Sequence, residues 1–322
     1  MRYAEVKYPN LKEYSDNVGM VMMEYIRAAL TQDIYILKGD GTEETFMPHF
    51  NYKGFQYVEV TSNKPVTLTK ENLTAYFMHS DVPVAGNIHS SNSTINNIWA
   101  ATNNSYLSNL FGYPTDCPQR EKNGWTGDAQ AFSRTASFNM NVNNFFAKWL
   151  KDLEADQQNG VVPFVIPNVL GAAISSAGWA DVATIAPWNM YLAYGDKCLL
   201  ENQYSSMKAY VESIRKNAKG DLWNTGFHFG DWLFYRPDDD NDGRAAVTDK
   251  YLIAQCFYAH STQLLINAAK ELGKADDVAA YTLLLQKIKD AFLKEYTTPN
   301  GATMSNTQTS YVLALQFDML PE

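Results

Sequence analysis

Between positions 116 and 128 the sequence sets Asp116, Glu121 and Asp128 beside Arg120 and Trp125. Crowded carboxylates next to tryptophan are the ordinary way to keep one carboxylic acid protonated near neutral pH while its neighbours stay ionised. Ionised carboxylates accept hydrogen bonds from hydroxyls, and an indole offers an apolar face. Two later segments repeat the pairing of tryptophan with acid beside glycine: Gly178-Trp179-Ala180-Asp181 and Gly230-Asp231-Trp232-Leu233. The plain alternative for the first segment is a solvated charged loop with a helix cap at Asp128, since charged loops are usually just wet. Trp99 and Trp149 lie on helical stripes and read as core. Trp125, Trp179 and Trp232, each in a loop beside glycine and an acid, read as site residues. Aromatic residues make up 13% of the chain, with 20 Tyr and 7 Trp, a surplus suited to stacking on sugar faces.

The elements that must hold these residues change character near position 90. Asp33–Lys38 is a β-branched and aromatic run closed by Gly39-Asp40-Gly41, and Phe55–Val60 alternates apolar and polar. Val66–Thr69 and Leu73–Met78 continue that pattern. Together they predict part of an antiparallel β-sandwich over 1–86, with too few strands to leave no open edge. From Ser93, read as an N-cap, the period becomes helical: Ile95, Ile98, Trp99, Thr102, Tyr106 and Leu110 share one face. Phe145, Phe146, Trp149 and Leu153 mark a second helix. Leu199–Ala218, Asp249–Leu272, Asp276–Tyr296 and Thr309–Phe317 read as further helices, with Gly220 and Gly273 as stops. The expected division is 1–86 and 87–322, the second part mostly α with seven or eight helices. The charge-free stretch from Gln157 to Ala180 carries Pro163, Pro167 and Gly171, so it predicts a buried or site-lining loop.

Of the 322 residues, 26 are Lys or Arg and 35 are Asp or Glu, giving a formal net charge of −9. That balance, with no basic run, argues against a nucleic-acid partner, and none is expected. Cys117, Cys198 and Cys256 show no metal-ligand or disulfide spacing, so no metal and no cofactor are expected. The first residues lack the pattern of a signal peptide, and no stretch reads as a membrane span, while the compartment stays open. Asp238, Asp240, Asp242 and Gly243 match positions 1, 3, 5 and 6 of a calcium loop, with Asp249 at position 12. Without flanking helices in register, a solvated acidic loop is the better reading. His228 is left between a sugar contact and a hydrogen-bonded histidine packed among phenylalanines.

The run from Asp116 to Gln130 resembles, nearly letter for letter, the hallmark segment of the bacterial α-L-rhamnosidases of glycoside hydrolase family 78. Asp33–Gly39 and Pro48–Val58 resemble the family's sandwich domain, and the Trp179 and Trp232 segments resemble two further pocket segments. The resemblance implies an (α/α)6 toroid and inverting cleavage of terminal α-L-rhamnosyl groups from rhamnose-containing glycans or glycosides. It implies Glu121 as general acid. Asp116, Arg120 and Asp128 would hold sugar hydroxyls, with Asp181 as a further polar contact. Trp125, Trp179 and Trp232 would face the ring and the C6 methyl group.

An inverting enzyme also needs a general base about 6.5–9.5 Å from the acid. In the family it is a glutamate in a late loop, and no matching segment is found here. Gly301-Ala302-Thr303-Met304 superficially resembles that loop, but no Glu follows it. A twelve-helix toroid needs over about 300 residues, more than the span from 93 onward supplies. The expectation is therefore an incomplete toroid preceded by part of a sandwich, cut at both ends, with self-association through exposed edges. The alternative function is a non-catalytic rhamnose binder or an inactive fragment.

Overall fold

The computed structural model describes residues 1–27, 29–234 and 247–321. The calcium-like segment Asp238–Asp242 lies outside them. Asp249, its twelfth position, is described: its carboxylate caps a helix, accepting the N–H groups of Tyr251 and Leu252 at 2.7 and 3.1 Å. The chain divides into two compact units, 1–81 with 90–123, and 82–89 with 124–322.

In the first unit, β1 (Arg2–Ala4) pairs antiparallel with β2 (Tyr57–Glu59), Tyr3 opposite Val58. Thr31 closes onto Tyr3 through backbone and hydroxyl bonds of 3.0 and 2.8 Å. Ala4, Val21 and Ile26 are buried there. Lys53 and Asp33 form a shielded ion pair at 3.3 Å, with the Lys53 side chain only 3% exposed. Of the expected strands, only the one within Phe55–Val60 forms a ladder among the described residues. Asp33–Lys38, Val66–Thr69 and Leu73–Met78 carry no ladder, and Ile34 and Ile36 are 78% and 85% exposed. Alternation favours extended backbone, but a strand also needs a neighbour to satisfy its N–H and C=O groups. The unit's helix, α1 (Ser93–Ser108), starts where expected; its cap is Asn92, which accepts the Thr94 N–H at 2.9 Å.

The second unit is helical. It holds α2 (Thr126–Asn139), α3 (Asn143–Asp156), α4 (Val182–Tyr194), α5 (Lys197–Asn217), α6 (Lys250–Glu271), α7 (Ala275–Tyr296) and α8 (Gln308–Gln316). α4 and α6 are its centre: α4 packs on α2, α3, α5 and α6, and α6 on α5, α7 and α8. α4 was not expected. Its residues from Val182 to Pro187 are all buried, so it has no polar face and no 3.6-residue signal to read. The expected loop from Gln157 onward is present and anchored. Val162, Val165 and Ile166 are buried, and the enclosed Trp149 indole donates to the Ile166 carbonyl at 3.1 Å. No helix among the described residues is long and apolar enough to cross a membrane.

Candidate active site

The acidic loop of the first unit closes on itself. The Asp116 N–H donates to the Asn123 carbonyl, and the Asn123 N–H returns to Asp116 Oδ1, both at 3.0 Å. Lys122 takes a positive φ of 54° at the tip, and its carbonyl accepts the Tyr113 hydroxyl at 2.9 Å. Its ammonium reaches Asn51 Oδ1 at 2.8 Å and sits over the Tyr52 ring. Beneath the loop, Gly54 is so close that a Cβ there would lie 2.9 Å from the Pro118 carbonyl carbon. The Phe50–Phe55 segment is thus the floor on which the loop rests.

Within the loop the buried Cys117 is a hub that sequence reasoning missed. Its thiol donates to Asp116 Oδ2 at 3.1 Å and accepts the Glu121 N–H at 3.3 Å. Burial pushes the Asp116 carboxyl above the usual carboxylate range. The Cys117 and Asn123 hydrogen bonds pull it back, and the charge of Glu121 adds to the rise. Arg120 Nε is buried without a hydrogen-bond acceptor among the described residues, and the Arg120 side chain interacts with Cys117. The Glu121 carboxylate is exposed and lies 4.0 Å from Arg27 Nη1.

In the second unit the three tryptophans expected at the site meet around one ring, Phe229. Ring centroids of Trp179, Trp232 and Trp125 lie 4.5, 5.4 and 5.9 Å from it. Phe164 and Phe227 complete the cluster at 5.0 and 4.9 Å. Trp125 caps α2 and is stitched to the long loop, since the Thr126 N–H and hydroxyl both donate to the Phe164 carbonyl at 2.9 Å. Gly127 is required by this packing: a Cβ there would lie 2.6 Å from the Trp179 indole nitrogen. Asp128 is exposed in the first turn of α2, where the helix dipole favours an anion.

Asp181 is placed differently from its neighbours. It is 0% exposed, accepts the Gly178 N–H at 2.8 Å and the Ser261 hydroxyl at 2.5 Å, and lies beneath the turn that carries Trp179. Burial raises its pKa to about 6 against these hydrogen bonds. His228 is hydrogen-bonded and packed. Nδ1 accepts the Ala177 N–H and Nε2 faces the Thr225 carbonyl, each at 3.0 Å, which requires the neutral Nε2–H tautomer. Burial lowers its pKa to about 4. No group of three or more His, Cys, Asp or Glu side chains is arranged to hold a metal among the described residues.

Residues 83–322 match the family model for the bacterial α-L-rhamnosidase six-hairpin glycosidase domain, and residues 1–79 that for the bacterial α-L-rhamnosidase concanavalin-like domain. An α-L-rhamnosidase of Formosa agariphila is 37% identical over 100% of this chain and 34% of its own length. One from Streptomyces avermitilis is 35% identical over 100% of this chain and 29% of its own length. The chain thus spans about a third of the length of these curated relatives. The crystal structure of Streptomyces avermitilis α-L-rhamnosidase complexed with L-rhamnose superposes with a TM-score of 0.84 at 34% identity, covering 99% of this chain and 29% of that one. The native Aspergillus terreus enzyme superposes with a TM-score of 0.87 at 35% identity, covering 100% and 37%.

Proposed function

This chain belongs to the bacterial α-L-rhamnosidases, and we propose that it carries the acid side of an inverting cleavage of terminal α-L-rhamnosyl groups. The single observation that supports this best is the meeting of Trp125, Trp179 and Trp232 around Phe229. Rhamnose has a methyl group where other hexoses carry a hydroxymethyl, and an aromatic wall matches that methyl and the apolar ring face. In this reading Glu121 protonates the departing glycosidic oxygen. Asp116, Arg120 and Asp128 bind ring hydroxyls. Asp181 acts at one remove by fixing the Gly178–Trp179 turn from below. In this reading the chain divides into domains 1–86 and 87–322, and every residue given a role in cleavage or sugar binding lies in the second. The reading assigns no base within this chain. It includes self-association through the apolar extended segments around Ile34, Ile36, Tyr76 and Phe77, which are largely exposed.

The test is nitrophenol release from an aryl α-L-rhamnoside by the 322-residue chain and its Glu121→Gln variant. Bound rhamnose with no release from either is the expected result. Release that disappears in Glu121→Gln keeps the acid and shows a base within the chain. Cleavage of an alkyl α-L-rhamnoside, whose leaving oxygen must be protonated, that survives in the variant overturns the assignment of Glu121.

A further inference from the structure

Of the three tryptophans around Phe229, Trp232 is held least by packing. It is 46% exposed, whereas Trp125 and Trp179 are more buried. Its backbone is tightly bent. The Trp232 N–H bonds back to the Gly230 carbonyl at 3.0 Å, closing a three-residue turn centred on Asp231. Gly230 and Leu233 take φ of 67° and 59°. A positive φ at leucine persists only where its surroundings impose it. Here the Asp231 side chain ties the turn down: Oδ2 accepts the Thr248 hydroxyl at 3.0 Å and the Thr309 hydroxyl at 2.9 Å. Both threonines are anchored. Thr248 is buried and precedes Asp249, the cap of α6. Thr309 lies in the first turn of α8. Because the Thr248 hydroxyl donates its one proton to Asp231, the Thr307 hydroxyl 2.7 Å away must donate to Thr248. Thr307 is the cap of α8 and accepts the Ser310 N–H at 3.3 Å. The buried Thr303 and Ser310 hydroxyls, 2.7 Å apart, extend the same network.

We propose that Asp231 is a positioning residue for sugar recognition: it sets the Trp232 indole in the aromatic wall by bracing its turn against the starts of α6 and α8. The proposal rests on the reading of Trp125, Trp179 and Trp232 as the wall that meets rhamnose. Asp181 does the same for Trp179, accepting the Gly178 N–H of that turn and the Ser261 hydroxyl of α6. The two segments that pair tryptophan with an acid beside glycine thus share one plan: the acid holds the turn and the indole meets the ligand. An indole on an unbraced turn has to be ordered by the sugar, and ordering a side chain weakens binding. The brace removes that loss before the sugar arrives. Hydrogen bonds to a charged acceptor are the stronger kind, and the first turn of α8 favours the negative charge. Asparagine at 231 keeps an acceptor oxygen and loses the charge, so it braces the turn less firmly than aspartate and more firmly than alanine.

The test places 5-fluorotryptophan in the intact chain and records its fluorine resonances, one for each of the 7 tryptophans. Trp232→Phe and Trp188→Phe identify the resonances of those two positions. Asp231→Ala and the near-isosteric Thr309→Val are expected to shift or broaden the Trp232 resonance and leave that of Trp188 in place, with a smaller change in Asp231→Asn. L-rhamnose affinity, measured by calorimetry, is expected to fall about three- to tenfold in Asp231→Ala. Added to Trp232→Ala, the same substitution is expected to change affinity by less than about twofold, because a residue that acts through the indole has nothing to act on once the indole is gone. A Trp232 resonance unmoved in Asp231→Ala and Thr309→Val, displacement of the Trp188 resonance along with it in both, or an undiminished loss of affinity in the Trp232→Ala background overturns the proposal. Thr309→Val carries both readouts where Asp231→Ala does not fold. An unmodified chain that binds no rhamnose contradicts the proposed function, and the fluorine spectra then decide the bracing of Trp232 by themselves.

Discussion

Asp181 gives the sharpest quantitative expectation. Its pKa is about 6 in the folded chain against an ordinary 3.8. A pKa raised by folding means the folded state binds the proton more tightly, so stability falls as pH rises between those two values. The penalty is absent below about 3.8 and complete above about 6. A difference of about two units at 1.36 kcal/mol each is about 3 kcal/mol. Asp181→Asn keeps the shape and an acceptor for Gly178 or Ser261 but cannot ionise. The variant should therefore gain stability relative to the unmodified chain as pH rises from 4 to 7, by about 3 kcal/mol across that window. Urea unfolding of both proteins, followed by helical circular dichroism at several pH values, measures the difference directly. Taking the difference removes titrating groups that the substitution does not touch, His228 among them. A flat difference from pH 4 to 7, or one that grows toward acid, would refute the reasoning.

Other consequences follow from the same packing. His228 has the opposite sign: its pKa, lowered to about 4 from 6.5, makes the folded state bind fewer protons, so its contribution is complete above pH 6.5 and lost as pH falls toward 4. His228→Gln should flatten the acid limb of the unfolding curve, up to about 3 kcal/mol over that window. Phe229→Ala removes the ring shared by three tryptophans; half-buried, it should cost about 2–3 kcal/mol and shift tryptophan emission to the red, read by urea unfolding and fluorescence.

The helices with a clear stripe were legible because a polar face alternates with a buried one. α5, α6 and α7 begin and end within a few residues of where the periodicity and the glycine stops put them. α4 was hidden by its burial. α2 was hidden by its small polar residues, and only its cap region showed, at Asp128 rather than at Trp125. The alternating segments of the first 86 residues predicted more strands than form, since pattern specifies a face but not a partner. The grouping of the three tryptophans was legible because each stands beside glycine and an acid in an irregular segment. Phe229 and Arg27 were missed because their partners are distant in sequence: Phe229 meets Trp125, and Arg27 meets Glu121, only through the fold. Cys117 was read only for disulfides and metals, whereas its role is to carry hydrogen bonds inside one loop.

The most direct test of the central claim is titration of the intact chain with L-rhamnose while tryptophan emission is recorded, beside the same titration of Trp179→Ala. A saturable change at millimolar sugar, weakened at least about tenfold in the variant while far-ultraviolet circular dichroism is retained, is the predicted result. No saturable response at tens of millimolar, or an affinity unchanged in Trp179→Ala, would contradict the reading of this aromatic cluster as the wall that recognises rhamnose.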